Sequence, residues 1–153
     1  MMGQPNASAG PRLSAETVHA STVATGGRAV VIMGPSGAGK SDLALRLLDR
    51  GFMLVSDDQT LLKREGDRLI ASAPPTIAGK LEIRGVGIVE METVTNVPVG
   101  LFVDLTSEIM RLPDENRQRP ILGISVPLIS IDAMTASAPS KVALALDRMG
   151  IKF

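Results

Sequence analysis

Short apolar runs separated by glycine and proline dominate the chain, and only two stretches show helical spacing. Arg28-Ala-Val-Val-Ile-Met33 is compact, rich in β-branched residues and followed at once by Gly34-Pro35. It predicts a buried strand that ends in a turn. From Lys40 to Arg50, Leu43, Leu47 and Leu48 recur at helical spacing, and Gly51 stands where a helix C-cap belongs. Phe52–Val55 is a second apolar run, ending in Ser56-Asp57-Asp58. Residues 28–58 therefore spell strand, glycine loop, helix, strand, the pattern of a βαβ unit in an α/β domain.

Further along, Leu61–Lys63 and Leu69–Ala71 flank Arg64-Glu65-Gly66-Asp67, which predicts a hairpin turn. Ala73-Pro74-Pro75 breaks the chain. Glu82–Glu90 is strand-like, with Gly85 and Gly87 marking a bulge or a close backbone approach. Val97–Leu105 predicts another strand, with Asp104 near its end. Leu122–Ile131 predicts one more, bent at Pro127, and Ser140–Arg148 a closing helix.

Composition narrows the function. A chain of 153 residues is bounded to one domain. Residues 1–14, mostly Gly, Pro, Ser, Asn and Ala, read as a flexible leader, and 15–153 as the domain. The absence of cysteine excludes disulfides, thiolate metal sites and cysteine nucleophiles, and fits a reducing cytoplasm. Sixteen Lys and Arg balance sixteen Asp and Glu, which argues against nucleic acid held by bulk charge. Three Phe with no Trp or Tyr disfavour base-stacking platforms. No stretch reaches the ~18 apolar residues of a membrane span. The uncharged run Pro120–Ile131 is too short and holds two prolines. Met1-Met2-Gly3 begins neither a secretory signal nor a myristoylation site.

The strongest chemical signal is Gly34-Pro35-Ser36-Gly37-Ala38-Gly39-Lys40-Ser41, which matches G-x-x-x-x-G-K-[ST], the phosphate-binding P-loop. Glycines let successive N–H groups turn toward phosphate oxygens, and the helix that follows adds its positive end. Lys40 would reach the β- and γ-phosphates of ATP, and Ser41 would hold Mg²⁺. The motif follows a predicted strand and opens a predicted helix, the context that it requires.

Such a loop needs an acidic partner, and two strand ends compete: Asp57-Asp58 and Asp104. Adjacent aspartates repel, so one can stay ionised near Mg²⁺ while the other accepts a proton. Either can instead cap the segment that follows. His19 is the lone histidine and by itself reads as an ordinary side chain. Glu82 and Arg84, two apart on a predicted strand, share a face, either as a structural ion pair or as a metal and phosphate pair. Arg111, Arg117 and Arg119 surround a mixed-charge loop from which any of them can reach a phosphoryl group. Lys141 and Arg148 read as surface charges on the last helix.

These residues together resemble a family. His19-Ala-Ser, the loop Gly34–Ser41, Val55-Ser-Asp-Asp58, Ala73-Pro-Pro75 and Leu81-Glu-Ile-Arg-Gly-Val-Gly-Ile88 follow the order and spacing of HPr kinase/phosphorylase. That bacterial enzyme phosphorylates a serine of the phosphocarrier protein HPr. Glu82-Ile-Arg-Gly-Val-Gly-Ile88 looks like its signature segment. The resemblance covers residues 17–112 well and the remainder loosely.

The resemblance implies a P-loop kinase core with a mixed β-sheet and few helices. It implies His19 beside the active site, Lys40 and Ser41 in their P-loop roles, and Asp58 as the catalytic aspartate. It also implies Glu82 as a second Mg²⁺ ligand and Arg111 as the catalytic arginine. Arg84 joins the loop residues as a candidate for neutralising phosphoryl oxygens. The family's N-terminal domain, its basic segment used in phosphoserine removal and its long C-terminal helix find no match. Asp132–Pro139 stands where the basic segment belongs. The chain therefore resembles the short, catalytic-core form. The expected activity is phosphoryl transfer from ATP·Mg²⁺ to a serine of an HPr-type carrier, with phosphorolysis as the reverse reaction. A homo-oligomer, the family's hexamer, is the implied assembly. A small-metabolite kinase and a nucleotide sensor without turnover are the rival readings.

Overall fold

Side chains alternate strictly along Arg28–Met33, and this alternation builds two cores, one on each side of a sheet. Val30 and Ile32 enter a cluster with both helices, while Ala29 and Val31 enter a second cluster enclosed mainly by strands. The computed structural model describes residues 14–108 and 117–153. The described elements begin with β1 (Ala15–Val18), β2 (Ala20–Thr25), β3 (Arg28–Met33), α1 (Lys40–Leu48) and β4 (Met53–Ser56). There follow β5 (Thr60–Glu65), β6 (Arg68–Ser72), a 3-10 turn (Pro75–Ile77), β7 (Lys80–Ile83) and β8 (Gly87–Glu90). The chain closes with β9 (Val97–Leu105), β10 (Gln118–Ile121), β11 (Ile124–Ile131) and α2 (Ala138–Met149).

The sheet is mixed, as expected. β3 pairs parallel with β9, and β9 parallel with β11. β2 pairs antiparallel with both β3 and β4. On the other side of β9, the antiparallel strands β6, β5 and β1 continue the sheet. β9 thus forks: Val97 and Pro98 meet β6, whereas Phe102–Leu105 meet β11. The expected strand–loop–helix–strand order is present as β3, α1 and β4. β3 and β4 do run parallel, but β2 lies between them. Residues 15–25, for which the apolar pattern predicts no element, hold the two strands β1 and β2.

Gly100 explains how one strand serves both cores. The register slips there, from Ala29 opposite Val99 to Val30 opposite Leu101. One extra residue reverses the facing of everything beyond it. Val97 and Val99 therefore enter the strand-lined core, and Leu101, Val103 and Leu105 the helix-covered one. A Cβ at Gly100 would lie 3.2 Å from Leu146 Cδ1, so α2 also presses on this point.

Other elements follow the apolar pattern with local changes. α1 ends at Leu48, and Gly51 takes the left-handed conformation (φ 95°) as its amide bonds Leu48 O at 3.0 Å. β5 and β6 form the expected hairpin around Gly66. Glu82–Glu90 is not one strand. It is part of the two-stranded ribbon β7–β8, turned at residues 84–86 with Gly85 at φ 87°. Leu122 and Gly123 make the tight turn of the β10–β11 hairpin, so the last strand begins at Ile124. At Pro127 that strand changes partner: Pro127 lies opposite Gln118, and Leu128 opposite Phe102. Among the described residues no helix is long and apolar enough to cross a membrane. Residues 1–13 of the leader lie outside the described residues.

Candidate active site

The phosphate-loop motif occupies the crossing from β3 to α1. Gly34 passes so close to β9 that a Cβ would lie 3.1 Å from Leu105 Cβ and 3.2 Å from Ala38 Cβ. The Ala38 amide bonds Pro35 O at 3.0 Å, which closes the turn. Gly39 is the N-cap of α1 at φ 98°, and among the described residues no side chain caps the helix. The first amides of α1 are therefore left for another acceptor, the arrangement that binds anions. Lys40 Nζ donates to Gly34 O at 2.9 Å and Pro35 O at 3.2 Å, which holds the ammonium across the loop.

β4 delivers the acidic pair from its C-terminal end. Asp57 is buried. Its Oδ1 accepts Ser41 Oγ at 2.6 Å and Ser21 Oγ at 2.8 Å, and its Oδ2 accepts the Glu82 N–H at 3.1 Å. Asp58 is exposed, with φ 68°, and its N–H donates to Ser21 Oγ at 3.1 Å. The two aspartates thus diverge: one is turned inward onto the loop, the other outward to solvent. The turn is locked by the Gln59 N–H on Asp57 O at 2.7 Å and by the Ser56 hydroxyl on Gln59 O. Asp104, the competing acid, lies on β9 opposite Met33 and Ser130. Asp57, not Asp104, bonds Ser41.

The remaining predicted residues fall around this centre. His19 is exposed in the link between β1 and β2, two residues before Ser21. The Glu82 side chain is exposed, while its own amide is anchored on Asp57. Arg84 does not share a strand face with Glu82, because β7 ends at Ile83 and Arg84 lies exposed in the turn. Arg111 lies outside the described residues. Arg117 bonds Ser130 Oγ at 2.9 Å, and Arg119 sits over the Phe102 ring at 5.7 Å. Lys141 and Arg148 are exposed on α2. The pattern of residues flagged the aspartate pair without dividing its roles, and it missed Ser21. Its signal was the run His19-Ala-Ser, in which Ser21 carried no role of its own and lay on a strand that the apolar pattern does not predict.

The donor set suits a hard cation. Among the described residues no three His, Cys, Asp or Glu converge on a metal cage. The Ser41 hydroxyl and Asp57 carboxylate instead place two oxygen donors in contact beside the loop. Mg²⁺ at nucleotide sites takes one or two protein carboxylates plus substrate phosphates, so these residues fit it.

Fold and site together define a mixed α/β domain with the sequence motif of a phosphate loop between β3 and α1. Residues 12–145 match the family model described as the HPr Serine kinase C-terminal domain, and the chain belongs to that family. It is 36% identical over 126 residues to the HPr kinase/phosphorylase of Chlorobium phaeobacteroides, covering 74% of this chain and 37% of that protein. It is 39% identical over 127 residues to the Geobacillus thermodenitrificans protein of the same name, covering 74% and 41%. The chain thus spans about two fifths of the length of these curated relatives. The solved Hpr(Ser) kinase/phosphatase structure from Coxiella burnetii superposes with a TM-score of 0.75 at 31% identity. That match covers 86% of this chain and 94% of the other.

Proposed function

We propose that this domain is the catalytic core of a protein serine kinase. It moves the γ-phosphoryl group of ATP to a serine hydroxyl of an HPr-type phosphocarrier in the cytoplasm. The observation that supports this most directly is the Ser41–Asp57 contact with Asp58 turned away from it. It separates a nucleotide-holding end from a solvent-facing carboxylate where a protein serine can arrive.

Each residue then has one task. The amides of residues 34–41 and Lys40 cradle the phosphates and stabilise charge on the transferring group. Ser41 and Glu82 would hold Mg²⁺, with Asp57 steadying Ser41 and offering its own carboxylate oxygen beside it; the charge supplied there would neutralise phosphate oxygens. Asp58 takes the proton of the attacking serine within hydrogen-bond reach. Arg84 and Arg111 are assigned to neutralising the transferring oxygens, and His19 to the margin of the site. In the reverse direction, an inorganic phosphate oxygen attacks the phosphoserine phosphorus. The serine–phosphorus bond breaks, pyrophosphate forms, and Asp58 returns the proton to the serine. The active form is a homo-oligomer.

The test is transfer of labelled phosphate from ATP·Mg²⁺ to purified HPr-type carriers. Label on a carrier serine, lost in Asp58→Ala and Lys40→Ala, is the expected result. ATP binding with no label on any carrier would overturn the reading and favour a sensor or a metabolite kinase.

A further inference from the structure

One buried hydroxyl serves both aspartates. Ser21 is fully buried on β2. Its Oγ donates to Asp57 Oδ1 at 2.8 Å and accepts the Asp58 N–H at 3.1 Å. A serine hydroxyl has a single proton to give, so these two bonds fix its orientation. Thr22, next in the strand, has a different task. Thr60 Oγ1 donates to Ala20 O at 2.9 Å, which leaves Thr22 to donate to Thr60 at 2.8 Å. Two adjacent buried hydroxyls thus hold separate things: Ser21 the acidic pair, Thr22 the start of β5.

We infer that Ser21 is a positioning residue that keeps Asp57 turned onto Ser41 and Asp58 turned to solvent. Its effect on Asp58 rests on the kinase reading above. Its effect on Asp57 needs only nucleotide and Mg²⁺. The physical reason lies in what holds Asp57 besides Ser41, whose hydroxyl can give its proton to Asp57 and an oxygen lone pair to a cation at once. Beyond Ser41, Asp57 Oδ1 is held by Ser21 and Oδ2 by the Glu82 amide. Two anchors on two oxygens stop the carboxylate from rotating. Without Ser21 one anchor is left, and the Asp58 amide loses its acceptor at a residue already in the left-handed region. Partners that orient metal-site residues typically change affinity or activity by about 10–100-fold.

The experiment compares wild type, Ser21→Ala, Ser21→Thr and Thr22→Val in the full chain. Calorimetry measures ATP affinity with and without Mg²⁺, and steady-state assays measure transfer to an HPr-type carrier. Ser21→Ala is expected to keep its metal-free affinity and lose about tenfold of the Mg²⁺-linked gain. Its kcat should fall while KM for the carrier holds. Ser21→Thr, which keeps the hydroxyl, should restore both. Thr22→Val, which loses an equally buried hydroxyl, should keep the Mg²⁺-linked gain. An undiminished gain in Ser21→Ala would overturn the inference, as would an equal loss in Thr22→Val or a wild type indifferent to Mg²⁺. If Ser21→Ala does not fold, Ser21→Cys supplies a weaker donor of similar shape. A partial loss there supports the role, and none overturns it. If no carrier is labelled while the Mg²⁺-linked gain still depends on Ser21, the kinase reading fails and the positioning role on Asp57 stands.

Discussion

The Ser41 hydroxyl meets the Asp57 carboxylate at 2.6 Å, although the residues are sixteen positions apart and on different elements. This contact joins the first turn of α1 to the end of β4. Under the proposed function it would orient the loop serine before a phosphate arrives and so lower the ordering cost of binding.

Asp57→Asn tests that contact. An amide oxygen can still accept the two serine hydroxyls, but its NH₂ then faces the Glu82 N–H, donor against donor. A buried polar group left unmatched costs about 1–3 kcal/mol. Chemical denaturation should show a loss of that size, and calorimetry a weakened Mg²⁺-dependent ATP affinity.

Asp58→Gly should separate stability from function. Asp58 is exposed with φ 68°, a conformation that glycine adopts without steric cost. Stability should be unchanged or rise by up to about 1 kcal/mol, since left-handed L-residues cost roughly 1–2 kcal/mol and glycine's extra chain entropy offsets part. Phosphate transfer should be lost while ATP binding persists. A melting curve and the labelled-carrier assay check the two halves.

Gly34→Ala should damage binding more than folding. The new methyl would meet the Cβ atoms of Leu105 and Ala38, which cannot rotate away. The loop must shift instead, and misplacement of about 1 Å can cost around a hundredfold in rate. ATP affinity should fall by about tenfold or more, while the melting temperature moves little.

Leu47→Ala should do the reverse. Leu47 is fully buried where α1 packs on the sheet. Emptying the site should cost about 2–5 kcal/mol. Denaturant titration should show it, and at temperatures where the variant stays folded its ATP affinity should be close to wild type.

Much of this was readable in the chain itself. The phosphate loop is eight consecutive residues, and its turn needs only local glycines and the helix that follows. The hairpin around Gly66 and the span of β9 likewise follow from short-range pattern. What tertiary structure decided lies between distant residues. Strand pairing inserted β2 between β3 and β4, which brought Ser21 within reach of Asp57, thirty-six positions away. That insertion also settled which aspartate bonds Ser41 and which faces solvent. The ribbon turn removed Arg84 from the face of Glu82, and the slip at Gly100 moved half of β9 to the other core. Alternation along a strand states that one side is buried, but not which strand lies beside it or in what register. Those depend on hydrogen bonds closed across long stretches of chain, and these form only when the whole sheet is assembled.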